Sequence, residues 1–213
     1  MADLTTLQRL RRSPLHDMAA ELSDGAGLGE RAVRLLEWPF LTMVNIRVEP
    51  GSDTARRIEG VLGTGLPQKC GDVTGEGGAH SVLWLGPDEW LVVSHAEPAS
   101  LAASLQSAAE DGRAQIVDVS ANRTVVEVSG RAARDVLEKG CPTDLHPRAF
   151  TDNTAITTSL ARVPVLLWKI DAHTFRVMPR ASLAQYVAAW LLDAALEFAS
   201  PRPAGQAPAV EGA

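Results

Sequence analysis

The sequence predicts an α+β protein made of two fused ferredoxin-like (split βαβ) modules, each an antiparallel sheet with two helices on one face. Three observations predict it. Up to about residue 119 the apolar residues switch between a period of two and a period of 3.6 in the order β-α-β-β-α-β. From about residue 120 the same order starts again. Two short strings also recur at corresponding places: Leu83-Trp84 returns as Leu167-Trp168 on the first strand of a hairpin, and Ala99-Ser-Leu-Ala102 returns as Ala181-Ser-Leu-Ala184 where a helix opens.

The first strand is read over residues 41–48, where Val44, Ile46 and Val48 alternate with Asn45 and Arg47 and Pro50-Gly51 breaks the run. Ser52 is the expected N-cap of a helix with Ala55, Ile58, Val61 and Leu62 on its apolar side, stopping at Gly63. Residues 66–79 read as a long glycine-containing loop. Residues 82–85 and 90–93 flank the turn-rich Gly86-Pro87-Asp88-Glu89 and predict a β-hairpin. Pro98 opens a helix carrying Leu101, Leu105 and Ala108, ended by Asp111-Gly112. Ile116, Val117 and Val119 form the next strand, Ser120-Ala-Asn122 a turn, and residues 124–128 a further strand closed by Ser129-Gly130. Ala132, Ala133, Val136 and Leu137 lie at helical spacing, with Gly140 placed for a left-handed cap before Pro142. A second hairpin is expected from residues 163–170 and 174–178. The last helix, about 182–198, presents Leu183, Tyr186, Val187, Trp190, Leu191 and Ala194.

The ends are read differently. Residues 1–35 form an N-terminal arm that is flexible or lies on a partner, and 36–198 one domain with pseudo-repeats at about 40–119 and 120–198. Residues 199–213, rich in Pro, Gly and Ala, are expected to be a disordered tail.

Composition excludes several function classes. A formal net charge of -6 and a pI near 5.4 argue against a nucleic-acid or anionic-membrane surface, and Arg9, Arg11 and Arg12 are the one basic cluster. No apolar run approaches a membrane span, and Asp3, Arg9, Arg11 and Arg12 interrupt any signal-peptide core, so the cytoplasm is expected. Cys70 and Cys141 form no CxxC pair and read as free thiols.

The chemistry-bearing motifs are missing. There is no phosphate loop, strand-led GxGxxG, GxSxG or HExxH, and Gly25-Ala-Gly27-Leu-Gly29 and Gly75-Glu-Gly77-Gly78 lack the strand and helix that aim backbone N–H groups at an anion. His16, His80, His95, His146 and His173 occupy five segments without ligand spacing. Asp88-Glu89 suits a solvated turn, and Asp118, inside an apolar strand, needs a partner such as Arg123 or a backbone N–H. Trp84 and Trp168 read as architectural, and Trp38 and Trp90 as candidates for partner contact.

DVSANRTVVEVSGRAARDVLEKGCPTDL, residues 118–145, resembles the strand-helix signature of the folate-binding aminomethyltransferase fold, that of the glycine-cleavage T-protein. Joined with LWLGPDEWLVV and PRASLAQYVAAWLLDAA, it looks most like the gamma subunits of heterotetrameric sarcosine oxidases, over roughly residues 10–198. That resemblance implies an accessory subunit of a flavoenzyme that oxidatively demethylates sarcosine to glycine and hydrogen peroxide, the one-carbon unit leaving as 5,10-methylenetetrahydrofolate or formaldehyde. It also implies that FAD, FMN, NAD, tetrahydrofolate and zinc belong to the alpha, beta and delta partner subunits, with alpha the main contact. Active aminomethyltransferases carry paired aspartates before the second hairpin. Here Leu160-Ala-Arg-Val-Pro-Val-Leu-Leu-Trp168 stands in that place, without an acid until Asp171, so no catalytic, cofactor-binding or metal-ligating residue is expected on this chain. The alternative is a stand-alone folate-binding protein or aminomethyltransferase in which Asp118 and Asp171 converge beside a cavity. An unrelated two-module interaction domain is the third reading.

Overall fold

The computed structural model describes residues 10–24, 29–75, 78–110 and 112–199, and in it ten strands make one antiparallel sheet. The strands are β1 (Arg34–Trp38), β2 (Thr42–Val48), β3 (Gly71–Thr74), β4 (His80–Gly86), β5 (Glu89–Ser94), β6 (Ala114–Asp118), β7 (Val125–Ser129), β8 (Thr154–Leu160), β9 (Val163–Asp171) and β10 (Thr174–Pro179). Five α-helices are described: α1 (Ala19–Asp24), α2 (Asp53–Leu62), α3 (Pro98–Ala109), α4 (Ala133–Glu138) and α5 (Ala184–Ala195). The regular helical positions begin where the chemistry directs. Ser52 accepts from the Ala55 N–H and Gly63 caps α2 at φ 68°, while Glu97 accepts from the Ser100 N–H in front of Pro98.

The strand order, β1-β7-β10-β9-β8-β3-β4-β5-β2-β6, is a palindrome of two like halves. In the first, β4-β5-β2-β6 is the ferredoxin-like order and β3 is an added strand; in the second, β9-β10-β7-β1 repeats it with β8 added. The halves meet where β3 pairs with β8 at Gly71 opposite Ala155 and Asp72 opposite Thr154. Among the described residues no strand follows the last helix to complete the second half. β1 takes that place, running antiparallel to β7 from Arg34 opposite Ser129 to Trp38 opposite Val125.

This corrects the reading of residues 1–35 as an arm. Leu15, Leu22, Val33 and Leu35 are buried in the second module's core, and Ser13 and Thr124 both donate to the Glu37 carboxylate, each at 2.6 Å. The second pseudo-repeat therefore includes a strand from before the first. Residues 1–9, 25–28 and 200–213 lie outside the described residues, and with them most of the expected tail and of the first glycine-rich run.

Alternation along the strands sorts side chains into three apolar layers. Val44, Ile46, Val82, Trp90 and Val92 meet Ile58, Leu101 and Leu105 of α2 and α3. Val126, Val128, Leu167, Phe175 and Val177 meet Val136 of α4 and Val187 and Leu191 of α5. On the helix-free face, Met43, Leu83, Leu91 and Val93 of one half pack against Leu166, Trp168 and Met178 of the other. The sheet therefore curls so that its two halves face each other.

Four further expectations are corrected. Leu83 lies in the layer between the halves whereas Leu167 lies under the helices, so the two Leu-Trp strings are one residue out of register and Trp84 is not the counterpart of Trp168. Trp90 is fully buried with its Nε1 donating to the Pro67 carbonyl at 2.8 Å, which removes it as a partner contact. Gly140 has no left-handed cap geometry; a Cβ there would stand 2.5 Å from the Trp190 ring, so the glycine makes room for that ring. Finally, Val61, Leu183 and Tyr186 point outward, because α2 buries the face of Thr54, Ala55, Ile58 and Leu62 and α5 that of Ala184, Val187, Ala188 and Leu191.

Ala161 and Arg162 join β8 to β9 in a two-residue turn with φ of 50° and 68°, the left-handed conformation that Asn-Gly adopts with little strain. The double substitution Ala161→Asn, Arg162→Gly is expected to stabilise the chain by about 1 kcal/mol, seen as a melting temperature roughly 2–4 °C higher.

Candidate functional site

The space between the two half-sheets is where this architecture could hold a ligand, since no described helix covers it. Its middle is occupied by Met43, Leu83, Leu91, Leu166, Trp168 and Met178, each at most 5% exposed. What remains open lies at the two ends. At the Glu89 end of β5 a cleft of about 290 Å³ is lined by Asn45, Glu89, Gln115, Arg123 and Arg180 over Leu91 and Leu166. Toward the Ser94 end a smaller one of about 160 Å³ lies among Leu41, Ser94, His95, Trp168 and Arg176.

The charged groups in both clefts have structural reasons to be there. Glu89 accepts from Arg47 at 2.5 Å and from the Asn45 amide at 2.8 Å. Arg176 pairs with Glu127 at 3.4 Å and lies over the rings of Trp38 and Trp168, 4.9 and 5.2 Å from their centroids. His95 meets Trp38 edge-on at 5.8 Å, and the buried Trp38 Nε1 has no hydrogen-bond partner among the described residues. Arg123 donates from Nη1 to the Met178 carbonyl at 2.9 Å, and burial first, then the Arg180 charge, pull its pKa down.

The residues singled out in the sequence do not come together. Asp118 does not pair with Arg123: its Oδ1 accepts from the backbone N–H of Ser120 at 2.9 Å and from its hydroxyl at 2.5 Å, fixing the turn into β7. Asp171 accepts from the His173 N–H at 2.8 Å in the hairpin tip, whose His173 carbonyl accepts from Gly130 just past β7. Those turns flank opposite ends of β7, and both carboxylates face solvent, so the convergence required by the alternative reading does not occur. Among the described residues no group of three or more His, Cys, Asp or Glu could hold a metal ion, and Cys70 and Cys141 are free. No described helix is long and apolar enough to cross a membrane.

His80 is half-buried, with Nδ1 2.8 Å from the Ser94 hydroxyl, and burial lowers its pKa below the usual 6.5. The unfolded chain then binds this proton more readily than the folded one. The stability His80 contributes is complete above 6.5 and is lost as pH falls through the lower folded value. Denaturant midpoints measured from pH 7.5 down to about 5 should fall in the native chain and fall less in His80→Gln.

A reduced folate does not fit these residues. The clefts are at or below the roughly 300 Å³ where ligand pockets begin, the space joining them is filled, and Glu89, the acid in their lining, is held by Arg47. The fold nonetheless has the folate-binding architecture. The glycine cleavage system aminomethyltransferase T of Bartonella henselae superposes with a TM-score of 0.60 at 14% identity over 86% of this chain and 57% of that one, a likeness of fold alone. A heterotetrameric sarcosine oxidase from Corynebacterium sp. U-96, solved with pyrrole 2-carboxylate, contains a chain that superposes with a TM-score of 0.86 at 45% identity, covering 91% of this chain and 98% of that one. Residues 51–197 match the model of the "Sarcosine oxidase, gamma subunit" family. The chain belongs to the sarcosine oxidase gamma subunit family. The sarcosine oxidase gamma subunits of Corynebacterium sp. strain P-1 and of an Arthrobacter species are 48% and 47% identical to it, each over 90% of this chain and 93% of their own.

Two features of this chain lie outside what the motifs in its sequence indicate. Lys169 is 3% exposed within β9, its Nζ bonding the Phe150 carbonyl and Asp152, each at 2.9 Å. A lysine in an otherwise apolar run was the signal available for it. The nearness of Arg123 to Arg180, which form an isolated bridge across 57 positions of sequence, had no local signal at all.

Proposed function

We propose that this chain is an accessory subunit without catalytic residues in a heterotetrameric sarcosine oxidase, the complex that oxidatively demethylates sarcosine to glycine and hydrogen peroxide. The one-carbon unit leaves as 5,10-methylenetetrahydrofolate or formaldehyde. The observation that carries the reading is the filled space between the half-sheets: in place of a pocket with a free carboxylate, apolar side chains meet, and Glu89 at one end is paired with Arg47. FAD, FMN, NAD, tetrahydrofolate and zinc then reside in the alpha, beta and delta subunits, alpha being the main contact, and the complex works in the cytoplasm.

A partner surface has support on the outer side of β1. There a cleft of about 340 Å³ runs between α1 and the strand, and Leu36 and Phe40 in its lining are 38% and 45% exposed, with Arg11 stacked 4.4 Å over the Phe40 ring. The test is capture of the tagged chain from its native cells, with a flavin spectrum and a sarcosine turnover assay. Three further subunits with flavin absorbance, turning over sarcosine where the isolated chain does not, support the reading. A colourless chain recovered alone that binds tetrahydrofolate at micromolar strength sinks it.

A further inference from the structure

Two arginines, Arg123 and Arg180, line the larger inter-sheet cleft. Arg123 and Arg180 are bridge partners on neighbouring backbone segments, and opposite residues of a bridge project to the same side. Both line the cleft of about 290 Å³. Neither pairs with a carboxylate among the described residues, and the acid in the lining, Glu89, is already held by Arg47 and Asn45. Arg123 is half-buried and fixed by its bond to the Met178 carbonyl, so it cannot swing into solvent to escape its neighbour. Burial first, and then the Arg180 charge, lower the Arg123 pKa. Holding two like charges together at a partly desolvated site costs free energy that a bound anion recovers.

The rest of the wall describes what such an anion would carry. Leu85, Leu91, Val117, Val119 and Leu166 provide an apolar surface, with the amides of Gln115 and Asn122 at the rim. We propose that Arg123 and Arg180 form a binding site for a carboxylate attached to a compact apolar body, the carboxylate bridging the two guanidiniums and the body lying on the leucines and valines. The planar fork of arginine suits a carboxylate in particular. The volume of about 290 Å³ suits a compact group, a small free acid or an acidic residue with an apolar neighbour on a partner subunit. Either source uses the same chemistry. The site stands whether or not the chain takes part in catalysis.

Calorimetric titration of the purified full-length chain at low salt, with benzoate as the probe and benzyl alcohol as its uncharged counterpart, tests it. Benzoate is expected to bind in the millimolar range and benzyl alcohol at least tenfold more weakly. Arg180 is exposed and its side chain makes no hydrogen bond or ion pair among the described residues, so Arg180→Met should keep the native melting temperature while weakening benzoate at least tenfold. Arg123→Lys, which keeps a charge but not the fork, should weaken it as well. Repeating the titration on the assembled complex separates the sources: retained binding identifies a free small acid, and lost binding, with slower assembly of Arg180→Glu, identifies a partner's carboxylate. Equal binding of benzoate and benzyl alcohol, or undiminished benzoate binding by folded Arg180→Met, overturns the proposal.

Discussion

Gly130→Ala is expected to lower stability by about 3–4 kcal/mol, read from the shift of the denaturant midpoint at constant slope. Gly130 sits at φ 125°, a conformation that costs any other residue dearly, and a Cβ would stand 2.3 Å from the Ala32 carbonyl oxygen. That oxygen belongs to backbone and cannot rotate away. It also belongs to the segment that leads into β1, so relieving the clash moves the strand that completes the second half-sheet. Gly51→Ala is the matched control, because Gly51 is also left-handed at φ 71° but has nothing within 4 Å of the added Cβ. It should cost only about 1 kcal/mol. Equal losses at the two positions would mean that the approach of Ala32 to Gly130 does not bear on stability.

The second large effect is expected at Leu35. Leu35→Asp places a carboxylate among Val126, Val128 and Phe175, where the native side chain is 1% exposed, and should cost about 4 kcal/mol or more. Leu36→Asp, one residue along and pointing to the other side, should change stability by roughly 1 kcal/mol or less, since Leu36 is 38% exposed. The difference between neighbours is the measurement. If residues 34–38 were an arm laid loosely on the surface, both substitutions would be mild. If they are the outer strand of the sheet, the two differ severalfold in their effect.

How much could be read from the residues alone follows from how local each signal was. The β4–β5 hairpin, α2 with its Ser52 cap and Gly63 stop, and the β9–β10 hairpin each announce themselves within a dozen residues. The connection between β4 and β5 is tighter than expected, because Gly86 and Glu89 pair as strand residues and only Pro87-Asp88 turn. β3 and β8 escaped notice for the opposite reason. Gly71-Asp-Val-Thr74 is short and Thr154-Ala-Ile-Thr-Thr-Ser-Leu160 is mostly polar, and each becomes a strand chiefly because the other strands are there to pair with it. β1 was the costliest omission. Arg34-Leu-Leu-Glu-Trp38 has no clean alternation, follows a glycine-rich run, and is defined by a partner strand in the other half of the sequence. The site was legible mainly as an absence: the acidic loop missing before β9 was visible, whereas the filling of the inter-sheet space by Met43, Leu83 and Met178 required the two halves to be brought face to face.

The origin of β1 also sets an order of events during translation. Ribosomes add roughly 5–20 residues per second, and β2 through β6 can form a complete half-sheet with α2 and α3 while the rest of the chain is still being made. β1 leaves the ribosome before all of them, yet Leu35 finds Val128 only after more than ninety further residues have been added. For several seconds on each new chain its backbone donors and acceptors have no strand to bond, while Leu35 and Leu36 lie open to whatever strand edge is near. β1 is therefore open to mispairing while the chain is made, and a chaperone that held it until β7 has emerged would prevent this.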